Sequence, residues 1–233
     1  MYLDFLDFYQ LLMNADEEPP ISMGTYIIFF KFNMKYAVRR PRSDICNFCY
    51  ECKINNDLKN EDYINHIKEV ENYRKSKKIY LAEKTNLCIE FDFAQNLALP
   101  KLIVNAQYYS RLLWLFIFNV HVFNKSGKNL DSNEKDNSYM FFMLEGFAKK
   151  GSNTVINFVL FTILREYQPD KHKKIILLSD SCGGQNKNYL FLQFFYSLAE
   201  KLGVVIEHMF PVVGHSYNQC DRNFGLYSKK KTR

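Results

Sequence analysis

The sequence predicts an α/β protein, with a mixed five-stranded sheet in the order β-β-β-α-β-α-β-α behind an N-terminal, mainly helical segment. Three observations carry this. Leu87, Ile89, Phe91 and Phe93 alternate with Cys88, Glu90, Asp92 and Ala94, the period of two that belongs to a strand. Ile175 to Leu178 is an unbroken apolar run, as expected of a central strand covered on both faces. Two sets of apolar residues recur at helical spacing: Val155, Phe158, Val159, Thr162 and Ile163, then Phe191, Phe194, Phe195, Leu198 and Leu202. With 47% of its 233 residues apolar and 16% aromatic, the chain has ample material for a core.

The elements follow in order. Tyr2 to Met13 is expected to form a helix that Pro19-Pro20 ends. From Arg39 to Lys84 the chain is polar, charged and cysteine-bearing, and a domain boundary near Lys84 separates residues 1–84 from 85–233. Asp44 to Cys52 reads as loop. An amphipathic helix is expected from about Leu58 to Lys77, with Leu58, Ile64, Ile67, Val70 and Tyr73 on its apolar face. After the alternating strand, Tyr108 to Phe123 and Asn137 to Glu145 are rich in aromatic and β-branched residues and flank a polar loop, Asn124 to Asp136. These segments make a three-strand antiparallel start. Gly151-Ser152-Asn153 opens a helix that ends before Pro169, and the apolar run 175–178 stops at Ser179-Asp180. Gly203 stops the next helix, Val204 to Val213 is the last strand, and Ser216 caps a final helix running through Asp221.

The formal charge is +6, with Lys and Arg spread along the chain, which fits a polyanionic partner and equally fits ordinary solubility. Met1 to Phe8 carries Asp4 and Asp7, so a secretory signal is not expected and the protein is placed inside the cell. The greasiest stretch, Leu112 to Phe123, is too short to span a bilayer and reads as a buried strand. Six cysteines in an intracellular chain then suggest thiols or metal ligands rather than disulfides.

Three aspartates fall at matching places in this order: Asp92 on the first strand, Asp180 just past the fourth, Asp221 on the last helix. That is the layout of the RNase H superfamily. Carboxylates on adjacent elements trap Mg2+ or Mn2+, and two such ions clamp the attacking and leaving oxygens of a phosphodiester displacement. The bland alternative is a solvent-facing strand residue and two turn or cap residues. Glu90 and Glu145 rank behind these three. Ser181 to Asn188 is a polar, glycine-bearing turn whose backbone N–H groups, with Gln185 and Asn186, suit a phosphate or water near the metals. His215 either touches a scissile phosphate or caps the last helix.

Cys46, Cys49 and Cys52 form C-x2-C-x2-C, and His66 lies on the predicted helix beyond them. A C-x2-C knuckle with a helical His supplies three zinc ligands. The fourth is Cys52 or a residue that spacing does not identify, and free thiols beside a helix are the alternative. Cys88, Cys182 and Cys220 read as buried thiols.

Several blocks resemble the signatures of a transposon-derived, transposase-like family of the retroviral integrase superfamily, mostly uncharacterised invertebrate proteins. They are Phe91 to Asn96, Ala148 to Asn153, Leu178 to Asn186, and Gly214 to Tyr217 with Cys220 to Gly225. The resemblance extends over about Arg39 to Phe224, and the Asp180 block is its most specific part. It implies an RNase H-like catalytic domain with a DDD or DDE triad, which falls on Asp92, Asp180 and Asp221. It also implies DNA as partner, a nuclear location, a homo-oligomer as a candidate assembly, and an N-terminal zinc or helical module that grips DNA. Arg39, Arg40, Arg42, Lys53, Arg74, Lys75, Lys77 and Lys78 would then meet phosphates. Thr154 and Asn223 depart from the pattern, which favours acids there. Only 12 residues follow Asp221, so a short last helix and a truncated domain are expected. A non-catalytic DNA-binding or interaction module retaining the fold is the competing expectation.

Overall fold

The computed structural model of the chain describes residues 21–33, 45–100, 104–105, 109–123 and 136–231. The expected helix at Tyr2 to Met13 and the loop at 124–135 lie outside these. Contacts divide the chain into two compact units, Met1–Ser43 and Asp44–Arg233. In the first unit, helix α1 (Met23–Asn33) has no buried residue.

The second unit begins with α2 (Asn47–Ile54), where a loop was expected, and α3 (Glu61–Ala82). Asn60 caps α3 by accepting a hydrogen bond from the Asp62 N–H, and Glu61 and Asp62 in the first turn complement the helix dipole. Its inward stripe is Tyr63, Ile67, Val70 and Tyr73, whereas Leu58 and Ile64 are exposed. Lys77, one turn further, donates to Glu90 of the sheet, and Tyr80 Oη donates to Glu207 Oε2 at 2.6 Å. The expected break near Lys84 therefore falls inside this unit, because α3 is bonded to the strands that follow it.

The sheet has six strands: β1 (Asn86–Phe93), β2 (Leu97–Leu99), β3 (Leu113–Phe123), β4 (Asn137–Leu144), β5 (Lys174–Leu178) and β6 (Val205–Met209). β1 lies at its centre, antiparallel to β3 and parallel to β5; β4 is antiparallel to β3, and β6 parallel to β5. The long order is thus β4-β3-β1-β5-β6, with the short β2, not expected, beside Leu113–Leu115 of β3. The remaining helices are α4 (Ser152–Glu166), α5 (Tyr189–Leu202) and α6 (Gln219–Lys231). Among the described residues no helix is long and apolar enough to cross a membrane.

Both faces of β1 are covered, although its alternation reads as one apolar and one polar face. On one face Leu87, Ile89 and Phe91 join Phe118, Val120 and Leu177 under Val155, Val159 and Ile163 of α4 and Phe191 and Phe195 of α5. Each such side chain, once fully buried, contributes roughly 1.5–3 kcal/mol. On the other face Cys88, Ile176 and Leu178 pack with Tyr80 and Leu81 of α3. Asn188 caps α5 by accepting from the Phe191 N–H, and Gly203 ends it in the left-handed conformation at φ 63°. α6 runs through Asp221 as expected and on to Lys231, but it starts at Gln219, and Asn218, not Ser216, caps it. Its Oδ1 accepts from the Asp221 N–H at 3.0 Å while Asp221 Oδ2 accepts from the Asn218 N–H at 3.0 Å, the reciprocal arrangement of a capping box.

Candidate functional site

Cys46, Cys49, His66 and His215 are brought together. Among the described residues they form the one group of three or more Cys, His, Asp or Glu side chains whose ligand atoms all lie within 4.8 Å of one another. Cys46 immediately precedes α2 and Cys49 lies on its first turn, so the two face the same side. His66 comes from α3, with Phe48 edge-on at 5.2 Å. His215 arrives from the loop after β6. The spacings are 3.1 Å between the two Nε2 atoms, 3.6 Å from Cys46 Sγ to His66 Nε2, and 3.4 Å from Cys49 Sγ to His215 Nε2. A tetrahedron around zinc with ordinary bonds of ~2.05 Å to nitrogen and ~2.3 Å to sulfur has edges of roughly 3.3 and 3.6 Å. The donor set and its size both suit zinc.

The fourth member is therefore His215 and not Cys52. Cys52 is buried but lies six residues along from Cys46, about 9 Å along a helix axis, too far to join. His215 joins this cluster and does not cap α6. Burial, Cys46 and nearby charges push the Cys49 thiol up, and burial, then His66 and Arg74, hold His215 below its ordinary value. Without metal both are neutral at pH 7, and metal binding displaces the Cys49 proton.

Gly214 makes the approach of His215 feasible. Its φ is +80°, and a Cβ there would sit 2.8 Å from Cys46 Cβ and 2.9 Å from Cys46 Cα. We expect Gly214→Ala to cost about 2–4 kcal/mol and to abolish stoichiometric zinc binding, measured by denaturant unfolding and metal analysis. Gly203→Ala is the control. It too has positive φ, but nothing lies within 4 Å of its added Cβ, so it should lose about 1 kcal/mol and keep its metal.

The aspartates occupy the neighbouring end of the sheet. Parallel pairing ends with Glu90 opposite Leu178; Asp92 lies two residues further along β1, and Asp180 two residues past the end of β5. Asp221 lies in the first turn of α6, which packs on β1 and β3. The three are close enough to feel one another: burial chiefly, then the Asp180 and Asp221 charges, push Asp92 up to about 6, against hydrogen bonds from Asn218 and the Phe93 N–H. Asn218 Nδ2 donates to Asp92 Oδ2 at 2.9 Å, and Asn186 Nδ2 donates to Asp180 Oδ1. Lys150 stands at the rim, its Nζ 3.0 Å from the Ala94 carbonyl and 4.7 Å from the Phe93 ring centroid. Burial lowers its pKa and the Asp92 charge opposes that.

Other expected roles change. Asn186 is 3% exposed and holds Asp180 rather than facing a substrate. The N–H groups of Gln185, Asn186 and Lys187 all point at the Cys182 carbonyl, so that turn does not offer them to a phosphate. Gln185 is half-buried on the same turn. Glu90 is buried between Lys77 and the Gln219 N–H, while Glu145 pairs with exposed Arg111. Cys88 and Cys220 are buried as expected, and Cys182 is half-buried.

Sequence reading missed the amides. Asn119, wholly buried in β3, donates to Ser138 Oγ and the Tyr139 carbonyl and accepts from Asn223 Nδ2 at 2.8 Å. An Asn inside the apolar run Leu112 to Phe123 was the available signal, since a buried amide must find partners. Asn218 carried no comparable signal, because its partners are 126 residues away and local.

The fold and site define an α/β protein with a Cys2His2 metal-type cluster beside a group of three aspartates. Residues 129–233 match a family described as a domain of unknown function, DUF7869. The match takes in Asp180, Asn186, His215, Asn218 and Asp221, and leaves out Asp92, Cys46, Cys49 and His66. No curated protein and no solved structure matches the chain.

Proposed function

We propose that the chain carries an RNase H-like, divalent-metal-dependent phosphodiester-transfer site of the transposase type, acting on DNA in the nucleus. The observation that carries this reading is that buried Asp92, near the end of β1, feels the charges of Asp180, two residues past the parallel strand β5, and of Asp221 on α6. The strand order β4-β3-β1-β5-β6, with two antiparallel and two parallel partnerships outward from the centre, supports it as the RNase H arrangement.

Asp92, Asp180 and Asp221 would hold Mg2+ or Mn2+. Their hard oxygens suit such ions, and ligands of a two-metal site need not lie close together, since the ions themselves are about 4 Å apart. Such ions, if bound by these residues, would supply activation of an attacking oxygen and charge stabilisation of a leaving one. The chain's own contribution is orientation: Asn218 fixes Asp92 and Asn186 fixes Asp180. Lys150 adds positive charge at the rim where a phosphate would enter. Of the DNA-gripping candidates, Lys53, Arg74, Lys75 and Lys78 are exposed, whereas Lys77 is paired with Glu90. Arg39, Arg40 and Arg42 lie outside the described residues.

One observation favours a second reading, a non-catalytic DNA-binding or interaction module that keeps the fold. The Asp221 carboxylate already serves as a helix-capping group for α6. The test is nicking and joining of DNA carrying the element's own ends, with Mg2+ and with Mn2+. The catalytic reading expects wild-type activity that Asp180→Asn lowers on the order of a thousandfold, with DNA affinity across a salt series unchanged. Wild-type protein that is folded, binds DNA and cleaves with neither metal establishes the second reading instead.

A further inference from the structure

We propose that the Cys46/Cys49/His66/His215 centre is a clasp whose metal sets the geometry of the carboxylate site. The functional meaning of the clasp rests on the reading of Asp92, Asp180 and Asp221 given above, but its mechanics do not. Cys46, Cys49 and His66 come from the start of the unit, and His215 alone comes from the segment that leads into α6. Three residues after His215, Asn218 does three things: its Nδ2 holds Asp92 at 2.9 Å, its Oδ1 accepts from the Asp221 N–H, and its own N–H donates to Asp221 Oδ2. The next N–H, of Gln219, donates to Glu90 Oε2 at 2.8 Å.

These bonds close a circuit through a single helix. α3 carries His66 at one end and Lys77 three turns later. His66 reaches His215 through the metal position, His215 leads to Asn218 and Gln219, Gln219 binds Glu90, and Glu90 binds Lys77. The space inside the circuit is almost filled: a cavity of about 10 Å³ is lined by Tyr73, Glu90, Ser179, His215 and Asn218. A displacement of His215 therefore moves against packed neighbours and is transmitted to Asn218, since so small a void absorbs little.

The backbone gives the loop little independent anchorage at this end. Between residues 210 and 218 its backbone-to-backbone bond is His215 N–H to the Val212 carbonyl at 2.9 Å, within the loop itself. Ser181 Oγ donates to the Pro211 carbonyl at 3.4 Å at the start of the loop, and nearer His215 the loop is held by the contact of Gly214 with Cys46 and by the side chain of His215 in the cluster. Metal at the cluster converts that contact into two thiolate and two imidazole bonds spanning 169 positions of sequence, from Cys46 to His215.

The experiment is amide hydrogen exchange on the full chain, zinc-loaded and zinc-stripped, with Mn2+ affinity measured in parallel by electron paramagnetic resonance. Stripping zinc is expected to speed exchange of the Asn218, Gln219 and Asp221 amides at least about tenfold, a fall of about 1.4 kcal/mol or more in the free energy of opening, while β1 and α4 keep their protection. His215→Ala should reproduce the effect in zinc-containing buffer. His66→Cys, which keeps four ligands, should retain protection, and Asn218→Ala should release Asp92 and Asp221 from the loop while leaving zinc bound. Unchanged exchange at these amides on zinc removal from a protein that remains folded overturns the clasp. If zinc-stripped protein does not fold, Asn218→Ala decides: loss of zinc from that variant would overturn the ordering of clasp before site. Mn2+ affinity is the separate readout. A loop that responds to zinc in a protein that never binds Mn2+ upholds the clasp and sinks the carboxylate reading, whereas zinc-dependent Mn2+ binding supports both.

Discussion

Removal of zinc is expected to lower the melting temperature of the Asp44–Arg233 unit by about 8–16 °C. A ligand that binds the native state alone, with free concentration a thousandfold above its dissociation constant, stabilises by about 4.1 kcal/mol, and for a unit of this size each kcal/mol is worth about 2–4 °C. Isolated zinc fingers lose their fold entirely without metal, because nothing else holds them. Here the sheet has its own cores on both faces, so the stripped protein should retain strands while loosening α2 and the loop at His215. Affinity should fall as pH falls, since the Cys49 thiol, held above its ordinary value, must release its proton to bind. Calorimetric scans with zinc buffered, then chelated, measure the shift. A change of less than about 2 °C with stoichiometric metal bound would mean the cluster contributes no folding energy.

Five of the six strands were legible because each had a pattern that one physical rule explains; the three-residue β2 was not. Alternation at Leu87 to Ala94 placed Glu90 and Asp92 away from Phe91, and the structure buries Phe91 in one core while Asp92 meets α6 on the other side. The unbroken Ile175 to Leu178 run became β5 with both faces covered. The Gly151 to Asn153 block fixed the start of α4 and Gly203 the end of α5, whereas the start of α6 was misplaced, because Ser216 and Asn218 are both good caps and only the reciprocal bond to Asp221 chooses between them. α2 was missed because its eight residues, NFCYECKI, carry no apolar stripe beyond Cys49 and Cys52, the two side chains it buries. The candidate site was legible residue by residue and not as a set. Nothing local in Gly214-His215 announces a partner at Cys46, since that contact spans the unit. A glycine before an unassigned histidine was the available hint, and its meaning depends on a close approach that only three dimensions display.

Asp92→Asn should separate function from stability more sharply than any other substitution. Burial first, then the Asp180 and Asp221 charges, raise Asp92 from 3.8 to about 6 in the folded chain. The fold thus favours the protonated form. That contribution is fully present below pH 3.8 and is lost as pH rises through about 6. Above that, the ionised carboxylate costs about 3 kcal/mol, from a shift of about two pH units at about 1.4 kcal/mol each. Replacing it with the neutral amide removes this cost but weakens the charge-assisted bonds from Asn218 and the Phe93 N–H, which offsets roughly 1–2 kcal/mol. At pH 8 the variant should be more stable by about 1–2 kcal/mol, and at pH 4 the gain should vanish. Over the same range Mg2+ should raise the melting temperature of the wild type above pH 6, where the ionised Asp92 can bind it, and leave the variant unmoved. Phosphodiester transfer should fall on the order of a thousandfold, the equivalent of about 4 kcal/mol of lost transition-state stabilisation. A residue that destabilises its own fold and is needed for turnover behaves as a functional carboxylate, whereas a structural one would lower stability at every pH when removed. Unfolding curves of both proteins from pH 4 to 8, with and without Mg2+, distinguish the two: a loss of stability at pH 8 together with an unchanged Mg2+ response in the variant would assign Asp92 to the scaffold.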